Sequence, residues 1–204
     1  MAAIADQTVR GGEVRDALLD ATRQCLLETG YAQLSTRRIT ERAGVALSQL
    51  HYHFGSKHGL VLALLARENA RLLERQRAMY EDTRPLWKQW EQACDYLEED
   101  LESGYVRVLQ EMAAAGWSNE EIAAAVRDDL RGWFRLLTSV IEKLLADFGP
   151  LGGFRAKEIA TLVGLAFLGA ESMILLGIAE SEMPCRAALR RVGDLIRALE
   201  TAGT

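Results

Sequence analysis

The feature that most constrains the fold of this chain is an apolar stripe of helical period, closed by a glycine. Val14, Leu18, Ala21 and Cys25 recur at steps of four, three and four residues, the spacing of one face of an α-helix. Gly30 follows at a position where it can end that helix. Further helical segments, separated by weak breaks, continue through the 204 residues, and no convincing strand is present. With abundant Ala and Leu and only three prolines, the sequence predicts an all-α fold of about nine helices.

The cysteines and the N-terminus indicate a cytoplasmic protein. The chain has three cysteines, Cys25, Cys94 and Cys185, which are odd in number and far apart. This pattern disfavours a disulfide framework or a zinc ribbon and favours a reducing compartment. The first thirty residues lack the positively charged start and apolar run of a signal peptide.

One segment requires a comparison with membrane helices. Residues 159–179 are long and apolar enough to span a bilayer. Glu171 lies at their centre, where a carboxylate costs roughly 2.5–3.5 kcal/mol on insertion scales. No basic cluster or aromatic belt flanks the segment. We therefore expect a helix buried on all sides by protein, with a membrane anchor as the alternative.

Residues 13–57 have the pattern of a helix-turn-helix module. Ser35 or Thr36 can cap a short second helix that Gly44 ends, and a third short helix follows over about 47–54. Ser56 can then cap a long fourth helix. The inward residues are predicted to be Ile39, Ala43, Val45, Leu50 and Phe54.

The third helix is expected to present a polar face. If Leu50 and Phe54 point inward, the step of about 100° per residue places Ser48 and Tyr52 outward. Gln49 and His51 then flank them on opposite sides, and Leu47 begins the helix. Such amides, hydroxyls and rings suit contacts with base edges and phosphates.

All three histidines, His51, His53 and His58, fall within residues 44–60. A metal site is disfavoured because residues two apart on a helix point roughly 200° away from each other. A chelating pair needs spacing of four, and no Ser, Cys or acidic motif accompanies the histidines as a catalytic site would require. A small helical enzyme or metal protein remains only as an alternative, and we predict no catalytic residue, metal or cofactor.

The charge is divided unevenly along the chain. Residues 10–58 contain seven basic and five acidic residues, a net charge of +2, whereas residues 59–204 carry −6. A basic N-terminal module on an acidic body is the pattern expected for a nucleic-acid-binding protein.

The remaining sequence predicts five more helices. Pro85 opens one that runs to about Ser103, and Gly104 and Gly116 bound the next. A capping box over residues 118–121 starts a helix reaching about Phe148, and residues 148–154 form the clearest loop. The apolar helix at 155–179 follows, and a last helix covers about 185–199.

Residues 35–65, STRRITERAGVALSQLHYHFGSKHGLVLALL, resemble the DNA-binding region of TetR-family transcriptional regulators. The signature comprises AGV at 43–45, LHYHF at 50–54 and SK at 56–57, and the similarity covers about residues 13–65. The resemblance implies a DNA-binding domain over residues 1–55 and an effector-binding and dimerisation domain over residues 56–204. It implies a homodimeric repressor released from a palindromic operator by a small molecule, with an activator or a ligand-independent regulator as alternatives.

The resemblance also implies which residues meet double-stranded DNA. The start of the second helix and residues 52, 53 and 57 would contact phosphates, and residues 47–49 would approach base edges. The full set is Ser35, Thr36, Arg37, Leu47, Ser48, Gln49, His51, Tyr52, His53 and Lys57. The sequence departs from the usual family pattern at Ala46, Leu47, His51 and the pair His58-Gly59.

The C-terminal two thirds are expected to bind an effector and a second copy of the chain. Large apolar side chains line most small-molecule sites, and the candidates here are Trp87, Trp90, Met112, Trp117, Trp133, Phe134, Phe167 and Met173. Glu171 must find a partner, either across the dimer interface or on the ligand. The last two helices are predicted to form a four-helix bundle with their symmetry mates.

Overall fold

The structure, a computed structural model, describes the backbone of residues 2–202 and the side chains of residues 11–201. Over these residues the chain forms nine helices and no strand, which confirms the predicted all-α class. The helices are α1 (Ala2–Thr29), α2 (Thr36–Ala43), α3 (Leu47–Phe54), α4 (Lys57–Glu81), α5 (Leu86–Ser103), α6 (Tyr105–Gly116), α7 (Glu120–Phe148), α8 (Ala156–Leu175) and α9 (Cys185–Ala202). The side chain of Arg10, which enters the charge count of residues 10–58, lies outside the described residues.

Local chemistry sets most helix ends where the sequence predicts them. Gly44 ends α2 in the left-handed conformation, with φ 66°, which glycine adopts without a Cβ clash. Ser56 caps α4, because its Oγ accepts the N–H of Gly59 at 3.0 Å. The predicted cap of α7 at Ser118 is wrong by one residue, since Asn119 Oδ1 accepts the N–H of Ile122 at 3.1 Å. Ser and Asn are both good caps, so the sequence does not decide between neighbours.

The chain packs as two compact units. The first comprises Met1–Ala70 and Arg107–Arg127, and the second comprises Arg71–Val106 and Asp128–Thr204. Helices α4, α6 and α7 therefore contribute residues to both units. The predicted boundary between residues 55 and 56 divides the chain by expected function. The packing boundary lies further along α4, because residues 58–70 pack with the helix-turn-helix unit.

The core of the first unit contains side chains from each of the helices α1 to α4. Leu18 and Leu26 from α1, Ile39 from α2, Leu50 from α3 and Leu64 from α4 are fully buried. Full burial of such a side chain contributes about 1.5–3 kcal/mol. The inward assignment of Ile39 and Leu50 is thereby confirmed, and this core fixes α3 with its opposite face in solvent.

In the second unit, α5 and α8 both pack on α9. Trp90 of α5 is buried and donates its Nε1–H to the carbonyl of Leu189 at 2.7 Å. A Cβ at Gly193 would lie 3.1 Å from Trp90 Cδ1, so the missing side chain makes room for the indole on α9. Gly164 of α8 does the same for Phe134.

Helix α8 is only partly covered within one chain. Its buried face consists of Ala160, Gly164, Phe167 and Ala170, whereas Leu162 and Leu165 are each 57% exposed. Only 28% of its most apolar window is buried, so the expectation of burial on all sides is wrong for the single chain. In the described part of the chain it is the one helix long and apolar enough to cross a membrane. It also ends four residues early, at Leu175, because Gly177 adopts φ 75°.

Candidate functional site

The outward face of α3 is polar and open to solvent. Leu50 is fully buried, while Ser48, Gln49 and His51 are exposed and Tyr52 is 82% exposed. Leu47, at the start of the helix, is 45% exposed. The structure therefore brings these predicted side chains together on one accessible surface, which we call the α3 face (Leu47, Ser48, Gln49, His51 and Tyr52).

Two histidines are oriented by contacts on α3. His51 Nδ1 lies 3.0 Å from the carbonyl oxygen of Gly55, which can only accept, so this nitrogen carries the proton. Its Nε2 is left for a partner outside the helix. His53 is half-buried and packs edge-on against Tyr52, with ring centroids 5.0 Å apart. These contacts limit the rotamers of the side chains that would meet DNA.

The third histidine lies elsewhere. His58 Nε2 is 3.1 Å from Glu121 Oε2, at the first turn of α7. Among the side chains that the structure describes, no group of three His, Cys, Asp or Glu is placed to hold a metal ion.

The start of α2 offers a second set of polar groups. Ser35 precedes the helix in an extended conformation, and its hydroxyl makes no cap hydrogen bond there. Arg37 is exposed, and its Nε is 2.8 Å from Glu41 Oε1. An exposed pair of this kind contributes little stability, so Arg37 can exchange its carboxylate partner for a phosphate at small cost.

Lys57 lies at the start of α4, and its ammonium group contacts two other residues of the same unit. Its Nζ donates to the carbonyl of Leu34 at 3.1 Å and lies 5.1 Å from the ring centroid of Tyr31. An ammonium group has three donors, so this arrangement leaves donors for a phosphate.

Two further cations of this unit are paired with one carboxylate. Arg42 and Arg38 lie 2.7 and 2.6 Å from the oxygens of Glu28, and the hydrogen bond from Arg42 contributes most to lowering the pKa of Glu28. Their charge is therefore partly balanced within the unit, unlike that of Lys57, for which no carboxylate partner is recorded among the described side chains.

Four predicted effector-pocket residues form an aromatic cluster in the second unit. The ring centroids of Trp90 and Phe167 are 5.5 Å apart, those of Trp133 and Phe167 are 6.4 Å apart, and those of Trp133 and Phe134 are 5.4 Å apart. Trp133 Nε1 donates to Gln76 Oε1 at 2.8 Å, so both indole N–H groups have partners. The four rings pack against one another, and Trp90 also borders a cavity.

The other predicted pocket residues do not join this cluster. Met112 is fully buried in the first unit, and Trp117, also in that unit, is 89% exposed. Trp87 lies on the surface between Lys88 and Arg197. These residues were predicted to line a pocket because their side chains are large and apolar. Residue type does not tell which of them border a cavity.

Met173 and Glu171 lie on α8. Met173 lines an open depression of about 460 Å³ on the α8–α9 surface. Glu171 is half-buried and has an interaction partner within the chain.

The second unit contains two adjoining cavities. The inner one, about 110 Å³, is lined by Trp90, Tyr80 and ten aliphatic side chains from α5, α7, α8, α9 and the loop after α7. The outer one, about 410 Å³, is lined largely by polar and charged residues and shares four residues with the first: Tyr80, Leu86, Val140 and Leu144. Tyr80 lines both cavities but was not among the pocket residues predicted from the sequence. The aromatic ring that ends the Arg- and Glu-rich part of α4 is the feature of the sequence that marks it.

Comparison with known proteins agrees with this geometry. Residues 18–64 match the family described as "Bacterial regulatory proteins, tetR family". Sixty residues are 37% identical to the HTH-type transcriptional repressor AcnR of Corynebacterium glutamicum, covering 29% of this chain and 32% of that protein. The chain thus spans about a third of the length of this curated relative.

Two solved structures resemble nearly the whole chain. A TetR-family regulator from Agrobacterium tumefaciens superposes with a TM-score of 0.76 at 20% identity, over 92% of this chain and 98% of the other. The transcriptional regulator FadR from Bacillus subtilis, in complex with stearoyl-CoA, superposes with a TM-score of 0.74 at 15% identity, over 88% and 96% of the two chains. At these identities the likeness shows a shared fold.

Proposed function

Because the chain belongs to the TetR family of helix-turn-helix transcriptional regulators, we propose that it is a homodimeric repressor released from its operator by a small molecule. As a regulator of transcription rather than an enzyme, it acts in the cytoplasm, where the DNA lies.

The main support for the proposed DNA binding is the α3 face. Leu50 anchors the helix in the core at full burial. Tyr52 points into solvent on the opposite side, and Gln49 is exposed on its flank. The N-terminal residues of such a helix contact base edges, and flanking groups grip phosphates. We assign base contacts to residues 47–49 and phosphate contacts to Ser35, Thr36, Arg37, His51, Tyr52, His53 and Lys57.

The dimer part rests on the uncovered apolar surface of α8 and α9. Leu162, Leu165 and Leu195 are 57%, 57% and 66% exposed, and Met183, which lines the same depression as Leu165, is 43% exposed. Exposed apolar surface on two helices supports a protein interface there. A second copy is the occupant that a helix-turn-helix protein requires, because two half-sites are read by a two-fold dimer.

The effector part rests on the cavities of the second unit. Release follows when the small molecule binds a conformer that holds the recognition helices unsuitably, and the differential affinity is typically about 1–3 kcal/mol. FadR of Bacillus subtilis, which shares the fold, was crystallised with stearoyl-CoA, so a small molecule can occupy this architecture.

The experiment is a pull-down of fragmented genomic DNA from the source organism with the purified full chain, followed by sequencing. We expect enrichment of a palindrome, and we expect the Tyr52→Ala chain to recover much less of it. A reporter gene placed behind that palindrome then separates repression from activation. Absence of any enriched sequence at low salt would contradict the proposal.

A further inference from the structure

We infer that the two adjoining cavities of the second unit form one binding site for a cationic amphiphile, with Tyr80 at the junction. This inference rests on the proposed function, since it names the chemical class of the effector. Its basis is the lining, the hydroxyl of Tyr80 and the charge of the outer cavity.

The inner cavity accepts only an apolar group. Apart from Tyr80 and Trp90 its walls are aliphatic, with Leu144, Ile159 and Val163 among them, and the Trp90 N–H is already bonded to Leu189. A volume of about 110 Å³ is small beside the 300–1,000 Å³ of most ligand sites. A short alkyl chain or a small ring fits this space.

Tyr80 supplies the one polar side-chain atom of the inner wall that needs a partner. Tyr80 is half-buried, and this burial raises the pKa of its hydroxyl. Among the described residues, this hydroxyl makes no hydrogen bond. A half-buried hydroxyl without a protein partner keeps its donor and acceptor capacity, so a ligand atom in the cavity that bonds to it is favoured.

The outer cavity is acidic. Its charged lining residues are four carboxylates and two cations, a net charge of −2: Glu81, Asp82, Asp147, Glu200, Arg84 and Lys143. Arg84 is committed to Asp82, with its Nε 2.6 Å from Asp82 Oδ2. Glu200 accepts the N–H groups of Leu86 and Trp87 at 2.8 and 3.1 Å.

Two carboxylates of this cavity are not engaged in that way. Glu81 and Asp147 are exposed and have no ion pair among the described side chains. Of the two cations that line the cavity, Lys143 is the one that also has no ion pair among those side chains. The net charge around the polar group of a ligand in the outer cavity is therefore negative. It attracts an ammonium group and repels a carboxylate, by about 1 kcal/mol per charge at 4 Å in water, or roughly fivefold in affinity.

The site thus selects a molecule with an apolar body and a basic nitrogen. The body fills the inner cavity, and the ammonium group donates to the Tyr80 hydroxyl and lies in the outer cavity near Glu81 and Asp147. A long-chain acyl anion fits this site poorly on both size and charge.

The test is isothermal titration calorimetry of the full chain with octylamine and with octanoate, two probes of equal chain length and opposite charge. We expect octylamine to bind at least about fivefold more tightly than octanoate. Tyr80→Phe should weaken octylamine by about three- to tenfold, which is the effect of one hydrogen bond. Neutralising the mouth in the double variant Glu81→Gln, Asp147→Asn should bring the two affinities close together.

The matched control is Tyr96→Phe. Tyr96 belongs to the same unit, its hydroxyl already accepts from Gln92 at 2.9 Å, and it does not line either cavity. Octylamine affinity should be unchanged in this variant, and circular dichroism melts of all variants show whether they are folded. Val163→Phe, which fills the inner cavity, should abolish octylamine binding in a folded chain.

The inference is overturned if octanoate binds as tightly as octylamine, if neither binds, or if Tyr80→Phe and Tyr96→Phe behave alike. These failures are separable from failure of the proposed function. A chain that enriches a palindrome but ignores octylamine loses only the ligand assignment, whereas one that binds octylamine but enriches no DNA loses the repressor assignment.

Discussion

The carboxylate of Glu111 on α6 accepts the backbone N–H of Tyr31 at 3.0 Å, in the turn that follows α1. One turn earlier on α6, Arg107 donates to the carbonyl of Leu27 at 2.8 Å, near the C-terminal end of α1 where cations are favoured. Gly30 leaves room for this arrangement, since a Cβ there would lie 3.0 Å from Glu111 Oε1. Two polar contacts therefore tie α6 to the end of α1, the helix that precedes α2 and α3.

Glu111→Ala should destabilise the protein by about 1–2 kcal/mol, because it leaves the N–H of Tyr31 without its acceptor in a part-buried turn. Urea unfolding followed by circular dichroism measures the change. Glu102→Ala is the control, since Glu102 is exposed and has no recorded partner among the described residues. Equal unfolding midpoints for the two variants would show that the contact contributes nothing.

Tyr52→Ala and Lys57→Ala should each weaken binding to all DNA sequences and lower the salt slope by about one unit per lost phosphate contact. Gln49→Ala should instead change the preferred base, because residue 49 is assigned to a base edge. Fluorescence anisotropy against the recovered palindrome and its point mutants, between 50 and 200 mM salt, distinguishes the two effects.

The control for the DNA experiment is Gln24→Ala, an exposed glutamine on α1 outside the predicted contacts. Because Lys57 also donates to Leu34, the melting temperature of Lys57→Ala must be compared with that of the unmodified chain. If all three α3 and α4 variants bound DNA like Gln24→Ala, the proposed docking would be wrong.

Leu165→Asp should shift the protein from dimer to monomer. Leu165 is 57% exposed on the apolar face of α8, and a carboxylate there would be buried without a partner if a second copy covers it. Light scattering after size exclusion gives the mass directly. Ala146→Asp adds the same charge at an exposed position on α7 and should leave the dimer intact. A dimer in both variants would place the interface elsewhere.

The helices were predictable because glycine and proline mark their ends and periodic apolar residues mark their inner faces. Gly30, Gly44, Pro85 and Gly104 all lie at the predicted breaks. The two-unit packing was less accessible to sequence reasoning, since α4, α6 and α7 each contribute to both units and no break in composition marks those positions. Packing partners, not local propensity, decide such divisions.

The α3 face could be predicted from the sequence better than the cavities, because it depends on residues that are close together in the chain. The α3 face follows from one short helix with a single buried residue, Leu50, so a 100° step was sufficient. The cavities depend on how segments distant in sequence meet, so the sequence alone did not indicate that Tyr80 lines both of them. An apolar residue at helical spacing predicts burial, whereas an empty volume depends on the mismatch between several neighbours.

Stability should fall as the pH rises above about 9. Burial raises the pKa of the Cys94 thiol from 9.0 to about 11, and it raises the pKa of Tyr80 as well. Between pH 9 and 11 the unfolded chain loses the Cys94 proton while the folded chain keeps it. The unfolded state therefore binds fewer protons, and the free energy of unfolding decreases by at most about 1.4 kcal/mol per pH unit for this group.

Urea unfolding from pH 7.5 to 10.5 measures this effect. The decline should be shallower in Cys94→Ala than in the unmodified chain, and Cys185→Ala, at a half-buried position, should follow the unmodified chain. A decline of the same steepness in Cys94→Ala would mean that the thiol does not contribute.

Gly164→Ala should destabilise the second unit although alanine is the better helix former. A Cβ at this position would lie 2.3 Å from Phe134 Cε1, so the ring must move, and Phe134 is packed against Trp133. Overpacking of this kind typically costs about 1–3 kcal/mol, more than the ~1 kcal/mol that Gly→Ala gains in helix propensity. Gly12→Ala in α1, where a Cβ would meet no atom within 4 Å, should be stabilising or neutral. Thermal melts of both variants decide the point, and a Gly164→Ala chain as stable as the Gly12→Ala chain would show that the aromatic cluster repacks without strain.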